Sequence, residues 1–386
     1  MNFVAIKMLV GDRARYLGIL MGLTFASLLI TQQASIFEGL MARTYGFITD
    51  TGLPDIWVMD KKVLMIEDIK PLQDTMLYRV RGVEGVDWAM PLYKGLLKAR
   101  LDNGSFQTCH VIGLDDATLV GGPGTMVEGR LEDLRRADSV IVDIVGAEGK
   151  LARPAEKAGG DKIPIKVGDT LELNDHRAIV VGICRTTRTF QSQPVIYTTY
   201  SRATLFAPQE RKLLSFVLVK AKAGENQAEV CRRIEAATGL AAYTQQGFKD
   251  LTYDYFMKYT GIPINFGIAV LLGFIVGTAI AGQTFFNFTV DNIKYFAALK
   301  AMGARDSQLL GMILLQAMIV GAIGWGIGVG AASLFGFLLR DTELSFLLTW
   351  KLLVISGCAI MVICTLSALL SIRTVMRAEP AIVFKG

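Results

Sequence analysis

Side chains that could perform chemistry are few in this chain of 386 residues, and their spacing does not assemble a site. The two histidines are His110 and His176, and the cysteines are scattered: Cys109, Cys184, Cys231, Cys358 and Cys364. A zinc site needs such ligands at short, regular spacings, and a disulfide framework needs an even, clustered set. We therefore expect no metal centre and interpret both histidines as ordinary surface or strand residues. A single Cys109–Cys184 disulfide stays open at this point.

Nucleotide and hydrolase motifs do not occur either. Gly121–Thr125, GGPGT, is glycine-rich, but the phosphate loop of an ATPase requires G-x-x-x-x-G-K-[ST], and no such lysine follows. The net charge of +5 comes without a basic run that is interleaved with aromatic residues, which argues against nucleic-acid binding. The sequence therefore predicts no enzyme active site, no cofactor bound by this chain and no nucleic-acid partner.

The most informative segment is Lys294–Arg305, KYFAALKAMGAR, which lies between two long apolar stretches. It predicts a short helix with an apolar stripe at i, i+3, i+4 and i+7, made of Tyr295, Ala298, Leu299 and Met302. Two lysines flank a side of small residues, and a glycine that suits a helix C-terminal cap follows: Lys294, Lys300, Ala297, Ala301 and Gly303. Such a helix either lies on lipid headgroups or docks onto a partner protein.

Four stretches are long and apolar enough to cross a membrane, which takes about 20 mostly apolar residues. They are Tyr16–Phe37, Phe266–Phe288, Leu309–Leu339 and Leu352–Ile372. The chain is 52% hydrophobic and 19% charged, against about 25% charged residues in a soluble domain, and the charge concentrates in Glu38–Lys258. The first stretch is too long for a cleavable signal peptide. The sequence predicts four transmembrane helices with a large domain inserted between helices 1 and 2.

Basic residues near the ends of these stretches predict the orientation. They fall before the first, between the second and third, and after the fourth: Lys7, Arg13, Arg15; Lys294, Lys300, Arg305; Arg373, Arg377, Lys385. Because cytoplasmic loops are enriched in lysine and arginine, this side and both termini are expected in the cytoplasm. The predicted parts are residues 1–37 with helix 1, an extracytoplasmic stalk and α/β domain in residues 38–263, and residues 264–386 with helices 2–4 and a cytoplasmic tail.

Small residues recur at every fourth position in three of the four stretches. They are Gly18, Gly22 and Ala26 in the first, Gly273, Gly277 and Ala281 in the second, and Gly324 and Gly328 in the third. This spacing lets helix backbones approach closely in lipid, either within one chain or at a dimer seam. We expect the seam at the Gly18, Gly22 and Ala26 face, since helix 1 leads directly into the stalk.

The inserted domain shows short strands, helices and turns. Strands are predicted at Asp55–Met59, Val140–Val145 and Ala178–Ile183, and helices at Ile66–Thr75 and Glu225–Ala237. Phe37–Thr51 and Gln246–Tyr259 are compatible with helices that continue the first two spans out of the membrane as a stalk. The prediction is a mixed α/β domain on that stalk.

Aromatic and polar residues meet at the expected outer ends of helices 1 and 2. The set is Gln33, Phe37, Glu38, Tyr259 and Phe266. A mixed aromatic and polar mouth suits an amphiphile and predicts a substrate entrance, although ordinary aromatic anchoring at the membrane surface gives the same composition. No acidic or basic residue lies in the middle of a span, which disfavours a proton- or sodium-coupled carrier.

Motifs along almost the whole chain are similar to those of one family. Asn292–Arg305, NIKYFAALKAMGAR, resembles the cytoplasmic segment of FtsX/MacB-like ABC transporter permeases, and is most similar to the DevC/HrtB type. The span that contains Leu315-Gln316-Ala317 and the glycines after it resembles the family's third-span pattern, with Gln316 where many relatives carry glutamate. Motifs of the inserted domain follow in the family's order: Asp55-Ile-Trp-Val, Gly113-Leu-Asp, Glu128-Gly-Arg, Val167-Gly-Asp-Thr and Val181-Gly-Ile.

The resemblance implies an integral-membrane permease subunit of an ABC exporter in the cell inner membrane. It makes residues 291–303 the coupling helix for a separate ATPase dimer that binds ATP and Mg, with Asn292 and the helix residues named above at the contact. It also implies a permease homodimer in membrane lipid, transport of an amphiphile by mechanotransmission, and association of such permeases with a membrane-fusion protein and an outer-membrane channel. The alternative is a non-transporting, FtsX-like regulator of an envelope enzyme or signal.

Overall fold

The computed structural model describes residues 2–11, 13–101, 103–154, 162–208, 213–340 and 342–376. The chain divides into two compact units. One comprises Met1–Leu40 with Gly261–Gly386, and the other is Met41–Thr260. The predicted cytoplasmic tail from Arg377, with Lys385, lies outside the described residues.

Helices make up nearly all of the first unit, and shorter helices alternate with strands in the second. In chain order the α-helices are α1 Asn2–Gly11, α2 Arg13–Thr44, α3 Gly46–Asp50, α4 Thr75–Arg81, α5 Ile144–Glu148, α6 Tyr200–Phe206, α7 Gln227–Thr238, α8 Gln245–Tyr259, α9 Ile262–Asp291, α10 Ile293–Ala301, α11 Asp306–Leu338 and α12 Trp350–Met376.

Strands occur only in the second unit of the described chain. They are β1 Ile56–Met59, β2 Val86–Arg100, β3 Phe106–Leu114, β4 Thr125–Glu128, β5 Ser139–Asp143, β6 Thr170–Leu173, β7 His176–Arg185, β8 Val195–Thr199, β9 Phe216–Ala221 and β10 Ala241–Thr244.

Four helices of the first unit, α2, α9, α11 and α12, are long and apolar enough to span a membrane. Each of them corresponds to one of the four stretches expected from the sequence, so the predicted layout of four spans with an inserted domain is confirmed. They pack with α1 and α10 around one apolar core, in which Phe285, Phe288 and Phe296 are among the largest buried side chains.

The ten described strands of the second unit form one mixed sheet. Its order is β10-β1-β9-β2-β3-β8-β5-β7-β4, and β6 pairs with β2 and β7. The pairs β3–β8 and β5–β7 are parallel, and the other pairs are antiparallel. The 15-residue strand β2 holds the sheet together, because it pairs with β9 along its first half and with β3 along its second.

Local sequence signals explain most element boundaries in this unit. The strands predicted at Asp55–Met59, Val140–Val145 and Ala178–Ile183 correspond to β1, β5 and β7. The helix predicted at Glu225–Ala237 is α7, which begins where the Asn226 side chain accepts a hydrogen bond from the Ala228 N–H and ends at Gly239 with φ +76°.

Two local predictions are wrong. Ile66–Thr75 is not a helix, because Pro71 would interrupt it, and the nearby helix α4 begins only at Thr75. The stalk is continuous with the first span through α2, but α8 ends at Tyr259 and Thr260 is extended before α9 begins.

The structure also decides the open cysteine question. Cys109 lies on β3 and Cys184 on β7, both are buried, and neither forms a disulfide. The strands β8 and β5 separate them in the sheet. Neighbouring strands lie about 4.8 Å apart, so three such spacings greatly exceed the Cα separation of about 7 Å that a disulfide tolerates.

Candidate coupling site

The connection between α9 and α11 holds the helix that the sequence singled out. Helix α9 ends at Asp291, and α10 begins one residue after Asn292, which caps both helices. The Asn292 side-chain amide donates to the Phe288 carbonyl at 2.8 Å. Asp291 forms an ion pair with Arg15 near the start of α2. These contacts fix where α9 stops and where the short helix begins.

The end of α10 confirms the predicted glycine cap. Gly303 has φ +93°, a conformation that glycine adopts without steric cost. Its N–H donates to the Lys300 carbonyl, and the Ala304 N–H donates to the Leu299 carbonyl, both at 3.0 Å. This pair of hydrogen bonds is the Schellman arrangement that satisfies the last carbonyls of a helix. The chain is thereby turned sharply into α11.

The face of α10 that packs against the core differs from the predicted stripe. Phe296 and Ala297 are each 1% exposed, whereas Tyr295 is 62% and Met302 76% exposed. Phe296 is the largest apolar side chain of the helix, so burying it sets the rotation of the helix, and Met302 lies beyond the last residue of α10. The buried face of α10 therefore does not coincide with the predicted apolar stripe, whose first and last members are exposed.

The same rotation corrects the predicted docking side. Ala297 is buried, so it does not form an exposed side together with Ala301, and its burial contradicts the predicted contact for Ala297. The exposed surface of α10 and its cap is instead formed by Lys294, Tyr295, Ala301, Met302 and Gly303, with Ala298, Leu299 and Lys300 partly buried. Lys300 pairs with Asp306 of α11 at 3.1 Å.

A buried glutamine near this site forms a hydrogen bond with the N-terminal helix that was not predicted from the sequence. Gln316 of α11 is fully buried, and its Nε2 donates to the Ala5 carbonyl of α1 at 2.7 Å. Its Oε1 has no hydrogen-bond partner among the described residues. The sequence signal was a glutamine in an apolar span, but the partner lies 311 residues away and could not be identified from the pattern.

The small residues of the first two spans face each other. A Cβ placed on Gly22 would lie 2.6 Å from Ile280 Cγ2, and one on Gly18 would lie 3.6 Å from Thr284. A Cβ on Gly277 would overlap Ala26, and one on Gly273 would lie 3.4 Å from Leu29. The close approach of α2 and α9 thus depends on these glycines.

The third span uses the other side of α2. Cβ atoms on Gly324 and Gly328 would lie 3.0 Å from Leu23 and 2.5 Å from Ser27. Helix α2 is therefore packed by small-residue faces of both α9 and α11. The dimer seam predicted at Gly18, Gly22 and Ala26 is wrong, because that face is already occupied within the chain.

Four of the five residues predicted for the substrate entrance belong to the first compact unit. Phe37 of α2 and Phe266 of α9 lie together, with ring centroids 5.6 Å apart, and Gln33 and Glu38 are half-buried. Tyr259 belongs to the other compact unit, where its ring lies 5.5 Å from that of Tyr255 and the residue is 73% exposed.

The α/β unit contains a buried ionic cluster that was not predicted from the sequence. Lys94 Nζ donates to Glu67 Oε2 at 2.6 Å, and His110 Nδ1 lies 3.6 Å from the same oxygen. Burial lowers the pKa of Lys94, and burial together with the Lys94 charge lowers the pKa of His110 to about 4. Burial opposes ionisation of Glu67, but the Lys94 and His110 charges outweigh it and lower the pKa of Glu67. The available signal was Lys94 within the apolar run PLYKGLL.

Two family models match this chain. The MacB-like periplasmic core domain matches residues 17–237, and the FtsX-like permease C-terminal model matches residues 257–380. The first of these alone covers more than half of the 386 residues.

Two solved structures are also similar in part. The periplasmic region of MacB from Actinobacillus actinomycetemcomitans is 15% identical with a TM-score of 0.38, and covers 55% of this chain and 97% of its own. The extracellular domain of the transporter YknZ from Gram-positive bacteria is 12% identical with a TM-score of 0.34, and covers 50% and 98%. The two family models, in the order expected along the chain, carry the assignment. The chain belongs to the FtsX/MacB-like family of ABC transporter permeases.

Proposed function

We propose that this permease couples ATP hydrolysis by a separate ATPase dimer to export of an amphiphile, and that α10 is the point of coupling. The observation that carries the proposal is the division of α10 into two faces. Phe296 lies in the core of the spans and Ala297 is buried beside it, while Lys294, Tyr295 and Met302 are exposed. A partner that moves the exposed face therefore also moves α9 and α12, which α10 contacts.

The exposed face has the composition of a protein contact. Aromatic residues and methionine are enriched in protein interfaces, and α10 with its C-terminal cap presents Tyr295 and Met302 beside the positive charge of Lys294. The ATPase, with its ATP and Mg, would supply the energy. Export rather than regulation is supported by the MacB-like periplasmic core model, which matches residues 17–237.

Mechanotransmission is supported by the length of α2. This helix has 32 residues, about 48 Å at 1.5 Å per residue, which exceeds the hydrocarbon thickness of about 30 Å. Beyond it, α3 is bound to the sheet unit, since Asp50 accepts hydrogen bonds from the Thr187 N–H at 2.7 Å and from its hydroxyl at 2.9 Å. A displacement of α2 would thus reach the loop after β7.

The proposed entrance for the amphiphile is the Phe37–Phe266 pair with Gln33 and Glu38 beside it. An apolar part of the substrate would contact the rings, and a polar part would find the amide and carboxylate. The further assembly in the inner membrane follows the family resemblance: two copies of this chain, the ATPase dimer, and in the DevC-like case a membrane-fusion protein and an outer-membrane channel.

Substitutions on the exposed face of α10 test the coupling proposal. Met302→Glu and Ala301→Glu place a charge on the contact without entering the core, so we expect co-purification of the ATPase and permease-stimulated hydrolysis to fall at least about tenfold. Leu64→Glu is the matched control, because Leu64 is 48% exposed in the α/β unit. Normal co-purification and hydrolysis for both variants would show that α10 only rests on lipid headgroups.

A further inference from the structure

The short connection between α11 and α12 is packed against a third span. Helix α11 ends at Leu338 and α12 begins at Trp350, and Ser345 between them is only 8% exposed. The Leu347 N–H donates a hydrogen bond to the Ser35 carbonyl of α2 at 3.0 Å. The connection therefore reaches from α11 to α2 within the first compact unit.

Two glycines on different spans make room for this connection. A Cβ on Gly39 of α2 would lie 2.7 Å from Ser345 Oγ and 2.9 Å from the Phe346 backbone nitrogen. A Cβ on Gly336 of α11 would overlap the Phe346 ring. These separations are well inside the distance of about 3.5–4.0 Å at which non-bonded atoms contact each other favourably. Residues Ser345–Leu347 thus fill a notch between α2 and α11, with the Phe346 ring as their largest part.

Next to this notch, α2 presents small and hydroxyl side chains to α11. Every fourth residue of α2 is buried here, so these residues share one face: Ser27, Thr31, Ser35 and Gly39. On α11, a Cβ on Gly328 would lie 2.5 Å from the Ser27 Cβ. The hydroxyls of Thr31 and Ser35 have no hydrogen-bond partner among the described residues.

The large apolar core of the spans stops short of the notch. Among the described residues, its last members are Ile30 on α2 and Trp325 on α11. Between Thr31 and Gly39, the buried residues of α2 are only Thr31, Ser35 and Gly39. Because a buried hydroxyl without a partner destabilises the closed arrangement, this end of the α2–α11 contact is its weaker end.

We propose that Ser345–Leu347 is a latch that holds this end of α2 against α11, and that its release lets the two helices part there during transport. The contacts that break are the Phe346 ring in its notch and the hydrogen bond from Leu347 to Ser35. Parting of the helices frees the Thr31 and Ser35 hydroxyls to form hydrogen bonds. The latch rests on the proposed function, because a displacement of α2 by the ATPase is what opens it.

Modification of Thr31→Cys by N-ethylmaleimide tests the latch in the purified full chain in lipid nanodiscs. Phe346→Ala removes the ring from the notch. Position 31 should then react at least about tenfold faster, because the rate follows the population of the open seam and a lost ring contact raises that population. Mass spectrometry of the peptide that contains position 31 separates this reaction from that of the native cysteines.

Leu347→Ala is the matched control. It shortens a neighbouring side chain that is 42% exposed and keeps the N–H that bonds Ser35, so the rate at position 31 should not change. Ala281→Cys, in the apolar core on α9, should stay unmodified in Phe346→Ala, which distinguishes local parting from general loosening.

Equal rates at position 31 with and without Phe346→Ala, or equal acceleration at positions 31 and 281, would overturn the latch. If Phe346→Ala does not fold, Gly336→Ala gives the decision. Its added methyl group displaces the ring from the other side of the notch, and it should accelerate modification of position 31 in the same way.

The complex with the ATPase tests release of the latch during transport. ATP turnover should accelerate modification of position 31 relative to the nucleotide-free complex when Phe346 is intact. If the ATPase binds and hydrolyses ATP normally but turnover leaves position 31 unreactive, the latch does not open in the cycle and the proposal is overturned. Failure of the proposed function gives a different result, a permease that neither binds nor stimulates the ATPase.

Discussion

At the residue scale, the buried Glu67–Lys94–His110 cluster should make stability depend on pH. The pKa of His110 is about 4 in the folded chain, against about 6.5 when unfolded. The unfolded chain therefore binds more protons between these values, and stability is lost as pH falls from about 6.5 to about 4, by about 3 kcal/mol in total. The lowered pKa of Glu67 also makes the folded chain less stable as pH falls through the acidic range. The lowered pKa of Lys94 instead makes stability rise with pH in the alkaline range.

The measurement is Tm of the full chain across this acidic range. His110→Gln removes the titrating group, and we expect its Tm to fall less steeply with decreasing pH than that of the wild type. His176→Gln, on the half-exposed first residue of β7, is the control and should follow the wild type. An unchanged acid profile in His110→Gln would mean that His110 is already protonated in the folded chain.

The Phe37–Phe266 pair supports a second prediction at this scale. Phe37→Ala should reduce stimulation of ATP hydrolysis by the exported amphiphile by about twofold to tenfold, the range expected for one lost aromatic contact. Basal hydrolysis and assembly should stay normal, because Phe37 is not part of the buried core. Phe337→Ala, which removes an exposed ring of α11, serves as the control. Full stimulation in Phe37→Ala would place the entrance elsewhere, on the α/β domain.

At the element scale, the burial of the spans indicates a dimer seam on α9 instead of the one predicted on α2. The apolar window of α9 is only 17% buried, compared with 39% for α2 and 44% for α11, so α9 has the largest free surface. Gln283 and Asn287 are exposed on it, with the Gln283 amide donating to Asn287 at 3.3 Å. Polar side chains on a span are stabilised by a facing helix, and we propose that the partner copy supplies one.

Cysteine cross-linking tests this seam, in a background that lacks the exposed Cys358. Gln283→Cys should give a covalent dimer in membranes. Gly22→Cys should not, because the position is packed against Ile280, and it should also weaken the α2–α9 contact. Efficient cross-linking from position 22 without any from position 283 would return the seam to α2.

At the scale of the whole molecule, the basic residues at the span ends predict opposite sides for α10 and the α/β domain. In the same Cys358-free background, Ser105→Cys lies on an exposed turn of the domain, and Ala301→Cys lies on the exposed end of α10. A membrane-impermeant maleimide should label position 105 in intact spheroplasts and position 301 only after permeabilisation. The reverse pattern would invert the orientation and exclude a cytoplasmic ATPase at α10.

Signals that act over a short length of chain were available in the sequence. The four spans follow from runs of apolar residues, because a lipid core requires about 20 of them in succession. The cap at Gly303 follows from one residue type and its position, and α7 follows from Asn226, an apolar side and Gly239. The family motifs are also local, and two family models match along the chain.

Contacts between distant residues were decided only by the tertiary structure. The 3.6-residue period indicates which side chains share a face, but not which face is buried. In this helix the large side chain of Phe296 is buried, and the rotation that buries it also buries Ala297. Small residues predict close packing of helices but do not identify the partner helix. In this structure α9 and α11 pack against the faces of α2 at which a dimer seam was predicted. Glu67, Lys94 and His110 meet because the sheet places β2 beside β3 under the loop that carries Glu67. Burial and charge pairing, which depend on all of these neighbours at once, therefore lie beyond what a linear pattern determines.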